Sequence, residues 1–133
     1  GNYINSMLAL QEALNGGYDE ALLLDTNGFV AEGSGENIFI VTEGKIFTPE
    51  LTSALDGITR RAVIEIAKSK NIKVNERKIT PNEMEKFVGC FLTGTAAEIT
   101  PVSQIEKNNF KVCDLILDLS ASYGKLVRKK KAA

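Results

Sequence analysis

Three clusters of polar and small residues interrupt the apolar pattern of this chain, and each has a composition suited to holding charge. In Phe29-Val30-Ala31-Glu32-Gly33-Ser34-Gly35-Glu36-Asn37-Ile38-Phe39 a carboxylate closes one apolar run, and two glycines separate it from the next. Glycine admits backbone angles and close approaches that other residues resist, so a flat ligand could lie here with Glu32 at its edge. The second cluster, Ser53-Ala54-Leu55-Asp56-Gly57-Ile58-Thr59, enters a segment of helical periodicity. The unpaired N–H groups and positive dipole end of a helix that starts there favour an anion, a phosphate in particular, and Thr59 adds a hydroxyl. The third, Thr93-Gly94-Thr95-Ala96-Ala97, follows an apolar run and could turn several backbone N–H donors toward an oxyanion or a carboxylate. Each cluster also has a reading without a ligand: a strand-end carboxylate beside a glycine loop, a capped helix start, and a tight turn of small residues under a helix. The six-residue dinucleotide fingerprint is absent, because Ile38 stands where its third glycine belongs.

The elements around these clusters follow from periodicity. Leu8, Leu10, Ala13 and Leu14 before Asn15-Gly16-Gly17 predict a short helix with a glycine C-cap. Residues 20–25 and 29–32 flank Thr26-Asn27-Gly28, a strong hairpin signal, and residues 37–42 and 45–48 flank Glu43-Gly44. Together the two hairpins predict an antiparallel meander. From Ile58 the period changes: Ile58, Ala62, Val63, Ile66 and Ala67 share one face of an expected helix, with Arg60, Arg61, Glu65 and Lys68 on the other and Asp56 placed to cap its start. Residues 72–75 read as a short strand, 81–85 as a helical turn opened by proline, 87–92 as a buried strand and 99–105 as another. Leu115, Ile116, Leu119, Tyr123 and Leu126 predict a last helix that frays into Val127-Arg128-Lys129-Lys130-Lys131, a solvated tail. The interleaving predicts a single α/β domain with a largely antiparallel sheet.

Composition narrows the chemistry. At 133 residues, roughly two-thirds of the unfolded chain's surface can be buried, enough for one core without disulfides. A net charge of −1 excludes a general nucleic-acid binder, and no apolar run reaches the ~20 residues of a membrane span. Histidine is absent, which removes the commonest general base and metal ligand. Catalysis is left to carboxylate, lysine, tyrosine, hydroxyl or a cofactor. Cys90 and Cys113 match no metal or redox spacing and read as reduced, core-facing thiols of a cytoplasmic protein.

In combination, Gly1-Asn2-Tyr3, Glu32-Gly33-Ser34-Gly35-Glu36-Asn37-Ile38-Phe39, Phe47-Thr48-Pro49, Gly57-Ile58-Thr59-Arg60 and Gly94-Thr95-Ala96-Ala97-Glu98-Ile99-Thr100-Pro101-Val102 resemble the ordered signature of the branched-chain amino acid aminotransferases. These are fold-type IV, or class IV, pyridoxal-phosphate enzymes with a D-amino acid aminotransferase-like fold. The resemblance implies that residues 1–133 are the larger, C-terminal domain, an α/β unit whose mostly antiparallel or mixed sheet is flanked by helices.

The resemblance also implies roles. Glu32 would face the pyridine nitrogen and keep it protonated, preserving the ring as an electron sink. Tyr3 would donate to the 3′ oxygen, with Asn37 in support, and Leu55 would pack against the ring. The phosphate would sit at the Gly57, Ile58 and Thr59 helix mouth with the Thr95 hydroxyl also reaching it, and the N–H groups of Thr95 and Ala96 would hold the substrate carboxylate. The Schiff-base lysine lies just ahead of the Gly-Asn-Tyr motif in the family, hence upstream of Gly1, so the chain is expected to be part of a longer protein and inactive alone. Lys45, Lys68, Lys70 and Lys78 fall in a hairpin, on the polar helix face and in a connection, and none replaces it. The implied substrates are branched-chain amino acids and 2-oxo acids, including 2-oxoglutarate, and the implied assembly is a homo-oligomer. Three alternatives stand beside this reading: a D-amino acid aminotransferase, an aminodeoxychorismate lyase, and a non-catalytic binding module.

Overall fold

The computed structural model describes residues 21–33, 35–51, 54–94, 98–105 and 108–132, with the backbone alone for 126–132. Its elements are β1 (Leu22–Leu24), β2 (Val30–Gly33), β3 (Asn37–Thr42), β4 (Lys45–Pro49), α1 (Ile58–Ser69), β5 (Val74–Arg77), a 3-10 turn (Pro81–Lys86), β6 (Gly89–Gly94), β7 (Glu98–Pro101), β8 (Gln104–Ile105), β9 (Asn108–Asn109) and α2 (Asp114–Ala132). The helix expected around Leu8 to Leu14 falls outside the described residues.

Both expected hairpins form, for local reasons. Asp25 Oδ1 accepts from the N–H groups of Asn27 (2.9 Å) and Phe29 (3.0 Å), and Gly28 takes φ +84°, so the β1–β2 turn is held by its own side chain. At the β3–β4 turn Glu43 (φ 45°) and Gly44 (φ 75°) are both left-handed, the pairing that matches strand twist. The meander does not form. β3 is flanked by β4 on one side and β6 on the other, in a five-stranded sheet of order β5-β4-β3-β6-β7, and so has no free edge for β2. β1 and β2 make a separate two-stranded sheet. Val30 N–H turns to the Ile79 carbonyl (2.7 Å), and an isolated Gly33–Glu36 bridge lies between the end of β2 and the start of β3. Within the large sheet β3–β4, β3–β6 and β6–β7 pair antiparallel, while β4 and β5 run parallel, as the α1 crossover between them requires.

Side-chain alternation divides the core between the two sheet faces. Ile38, Ile40, Cys90 and Leu92 pack with Val30, Ile79, Met84, Phe87 and Phe110 on one face. Phe39, Val41 and Phe91 pack on the other with Val63 and Ala67 of α1 and Ile116 and Leu119 of α2. Phe39 and Phe91 stack with ring centroids 5.0 Å apart, adding about 0.5–1.5 kcal/mol beyond their burial. Burial pushes the Cys90 thiol far above its ordinary pKa, so it behaves as a small apolar side chain; Cys113 is half-buried, and both are free.

Several expected boundaries and faces move. The buried residues of α1 are Thr59, Arg60, Val63 and Ala67, whereas Ile58 is 75% exposed. Arg60, which reads as a polar-face residue, is buried because its guanidinium reaches past the helix to the Pro49 carbonyl (3.2 Å) and to Glu76 Oε1 (2.6 Å). Asp56 does not cap the helix: Gly57 is the N-cap with no side-chain hydrogen bond, and Asp56 instead faces Arg60 (3.9 Å) and Arg61 (3.5 Å). The strand expected at 72–75 is displaced to Val74–Arg77, because Ile72 N–H still bonds the α1 carbonyl of Ala67. The run 99–105 splits into β7 and β8, since Val102 N–H bonds Cys90 and the chain then turns into the small β8–β9 hairpin. The backbone of α2 stays helical to Ala132 rather than fraying at Val127.

Candidate functional site

The helix-covered face of the large sheet is apolar over its middle rows and changes character at one end. Register pairs Phe39 with Phe91 and, two residues along, Asn37 with Thr93 and Thr93 with Ile99. Residues directly opposite across a ladder point the same way, so Asn37 and Thr93 form a polar row beside the stacked phenylalanines. Both are buried. The start of α1 comes down on this end: Asn37 Nδ2 donates to the Leu55 carbonyl at 2.8 Å, and a Cβ added to Gly57 would collide with Asn37 Oδ1. Only glycine lets the helix mouth approach so closely.

Glu32, at the end of β2, closes the same corner. Leu55 N–H donates to its Oε1 at 3.0 Å, so the Leu55 peptide is held on one side by Glu32 and on the other by Asn37. A carboxylate can accept more than this one hydrogen bond, which leaves Glu32 capacity for a second donor. Of the three clusters, the first two therefore meet. The third joins through Thr93 and Gly94: Gly94 pairs with Glu98, closing a three-residue connection at the same end of the sheet. Thr95 and Ala96, in that connection, and Tyr3 fall outside the described residues.

The helix mouth has the properties of an anion site. The first-turn N–H groups have no partner within the helix by its geometry, no side chain among the described residues caps them, and no acidic residue occupies the first turn. Arg60 and Arg61 stand there, but their guanidinium groups already face carboxylates, Asp56 for both (3.9 and 3.5 Å) and Glu76 for Arg60 (2.6 Å), so the anion character of the mouth rests on its N–H groups. Thr59 is buried, with its Oγ1 3.5 Å from the Tyr123 hydroxyl of α2. Leu55 (70% exposed) and Ile58 (75% exposed) present apolar surface on either side of Gly57, as a flat aromatic ligand would need. A phosphate-bearing ring such as pyridoxal phosphate fits these residues.

The sequence reading misses three participants. Arg60 is hidden by its class, because helical periodicity counts an arginine as solvated. Tyr123 is on α2, far away in sequence, where it reads as one more core position. Thr93 carries no separate role, yet its hydroxyl is buried without a hydrogen-bond partner among the described residues. None of the lysines named as replacements is free at the polar row. Lys45 pairs with Thr42 at the opposite end of β3, Lys68 is in the last turn of α1 and Lys70 pairs with Asp118 (3.3 Å), while Lys78, which follows β5 at the near end of the sheet, is held by Glu50 (3.1 Å). A surface depression lined by Phe47, Arg77, Glu83 and Lys86 shares no residue with the site.

Known proteins resemble this chain in sequence and fold. The sequence profile of the family described as amino-transferase class IV matches residues 1–105. A branched-chain-amino-acid aminotransferase of Pseudomonas aeruginosa is 54% identical over 106 residues, which are 80% of this chain and 34% of that protein. A probable branched-chain-amino-acid aminotransferase of Aquifex aeolicus is 47% identical over 135 residues, 98% of this chain and 43% of that one. Among solved structures, the branched-chain aminotransferase from Thermoproteus uzoniensis with norvaline superposes with a TM-score of 0.91 at 43% identity, over 94% of this chain and 42% of that one. The branched-chain amino acid aminotransferase from Thermobaculum terrenum in its PLP-form superposes with a TM-score of 0.91 at 40% identity, over 95% of this chain and 43% of that one. These superpositions bear out the expected α/β fold with a mixed sheet flanked by helices. The chain spans less than half the length of each of these relatives.

Proposed function

Because this chain belongs to the class IV amino-transferase family, we propose that residues 1–133 form the larger, C-terminal domain of a pyridoxal-phosphate enzyme that transfers an amino group between leucine, isoleucine or valine and 2-oxoglutarate. The observation that carries the proposal is the meeting of Glu32, Asn37 and the uncapped helix mouth at the Leu55 peptide. When bound, the cofactor supplies an electron sink for loss of the substrate Cα proton. The chain's own residues orient it and set its charge. Glu32 would hold a proton at the ring nitrogen, and its bond to Leu55 fixes the carboxylate's direction. Asn37 holds the Leu55 carbonyl from the other side, and the exposed Leu55 side chain would pack against the ring.

The N–H groups of Ile58 and Thr59 would bind the phosphate, with the hydroxyls of Thr59 and Thr95. Tyr3 would donate to the 3′ oxygen, and the N–H groups of Thr95 and Ala96 would take the substrate carboxylate. The base that would move the proton at Cα is the lysine that precedes the Gly-Asn-Tyr motif in the family. The working protein is a cytoplasmic homo-oligomer. Exposed Leu24, Val88, Val112 and Leu117 supply apolar surface of the kind that assembly covers, and the free thiols suit a reducing compartment.

The test is made on the full-length protein, with L-leucine and D-alanine offered in parallel with 2-oxoglutarate. Glutamate formation with L-leucine preferred is the expected result. Preference for D-alanine would move the assignment to D-amino acid transamination, and no turnover of either would favour a lyase or a binding module.

A further inference from the structure

The polar row contains one atom that neither the fold nor the roles above account for. Thr93 is 1% exposed, and its Oγ1 has no hydrogen-bond partner among the described residues. Buried hydroxyls are almost always paired, and one left unpaired is costly, so its retention at this position asks for a compensating use. Valine has nearly the same shape and would fill the space without that cost. Position decides what the use is. Thr93 faces the same way as Asn37, its register partner, and lies one residue before Gly94, where the connection to β7 opens. It stands at the end of the sheet to which Gly57 and Asn37 bring the helix mouth.

We propose that Thr93 is a positioning residue of the cofactor site, whose hydroxyl gains its hydrogen-bond partner when the cofactor binds. The inference rests on the proposed pyridoxal-phosphate reading of the site. It makes cofactor binding and the buried hydroxyl energetically coupled: a hydroxyl with no partner among the described residues gains one on loading. The side chain is too deeply covered to touch the reacting atoms, so its effect is on the end of β6.

The experiment compares wild type, Thr93→Val and Thr93→Ser in the full-length protein, with two readouts. One is the thermal midpoint of the protein stripped of cofactor. The other is the dissociation constant of pyridoxamine 5′-phosphate, which binds without a covalent link, followed by fluorescence. Thr93→Val is expected to raise the stripped protein's midpoint by roughly 2–4 °C and to weaken the probe about tenfold, corresponding to one hydrogen bond. Thr93→Ser keeps the hydroxyl and is expected to bind the probe as wild type does. A merely structural threonine cannot give opposite signs on the two readouts. Unchanged affinity in Thr93→Val, a lowered midpoint, or failure of that variant to fold would each overturn the inference while leaving the cofactor reading intact. Wild-type protein that does not bind the probe at all would overturn both.

Discussion

Glu32 and Leu55 are 23 positions apart in the chain, yet Leu55 N–H donates to Glu32 Oε1 at 3.0 Å. The bond ties the end of the small β1–β2 sheet to the approach of α1, although β2 makes no ladder with the large sheet. It also separates two functions of one side chain, since glutamine can accept the same N–H but carries no charge. Glu32→Gln in the full-length protein is therefore expected to keep its fold and to lose the charge-assisted contact with the ring nitrogen. Such contacts are worth about 1.5–3 kcal/mol, hence a fall in kcat of roughly 10- to 150-fold. Steady-state kinetics beside a thermal melt check this; wild-type kcat, or a melt that collapses with the activity, would count against the role given to Glu32.

Gly57 is the point of closest approach between helix mouth and sheet. Gly57→Ala places a methyl group against Asn37 Oδ1 and must push the helix start or the amide aside. Overpacking of this kind costs about 1–3 kcal/mol, and urea unfolding measures it. The displaced N–H groups should also lower affinity for pyridoxamine 5′-phosphate. A variant as stable and as tight-binding as wild type would show that the approach is not required.

Arg60 links α1 to β4 and β5 through Pro49 and Glu76. Its Nε has no partner among the described residues, so the buried guanidinium depends on few contacts. Removing one partner of a buried charge is more damaging than replacing the charge by an apolar group of similar volume. Glu76 is 46% exposed, and solvent moderates its loss. Glu76→Gln is expected to cost about 1–2 kcal/mol and Arg60→Met less than that, by urea unfolding of each variant. The reverse order would contradict the account of Arg60 as a costly but anchored cation.

Glu83 gives the fold an acid-sensitive joint. Burial pushes its carboxyl up, but hydrogen bonds from Arg77 and from the Thr80 N–H and hydroxyl, with the Arg77 charge, together hold it below the usual value of 4.5. A depressed carboxylate contributes stability that is fully present above the unfolded-state value and is lost as pH falls through the folded-state value. Stability should thus decline below about pH 4.5, and Glu83→Gln should flatten that part of the profile. Identical acid profiles for the two proteins would rule the joint out.

Much of this was legible in the sequence where local chemistry dominates. Asn27-Gly28 and Glu43-Gly44 make their turns from their own backbone preferences, and Pro81 with Glu83 opens a 3-10 turn by the Thr80 capping box. The three polar clusters stand out because charge and glycine between apolar runs need a reason. What was hidden depends on partners distant in sequence. The meander fails because β6 occupies the edge of β3 that β2 would need. Arg60 is buried because Pro49 and Glu76 are waiting for it, and Ile58 is exposed because the helix mouth overhangs the site. Thr93 could be seen only once register set it beside Asn37. Single-sequence periodicity contains none of these pairings.

The most direct test of the central claim is a structure of the full-length protein with pyridoxal phosphate bound. The account predicts the phosphate on the N–H groups of Ile58 and Thr59 and a Glu32 oxygen about 3 Å from the pyridine nitrogen, with Leu55 against the ring. A cofactor seated elsewhere, or one whose ring nitrogen faces away from Glu32, would contradict it.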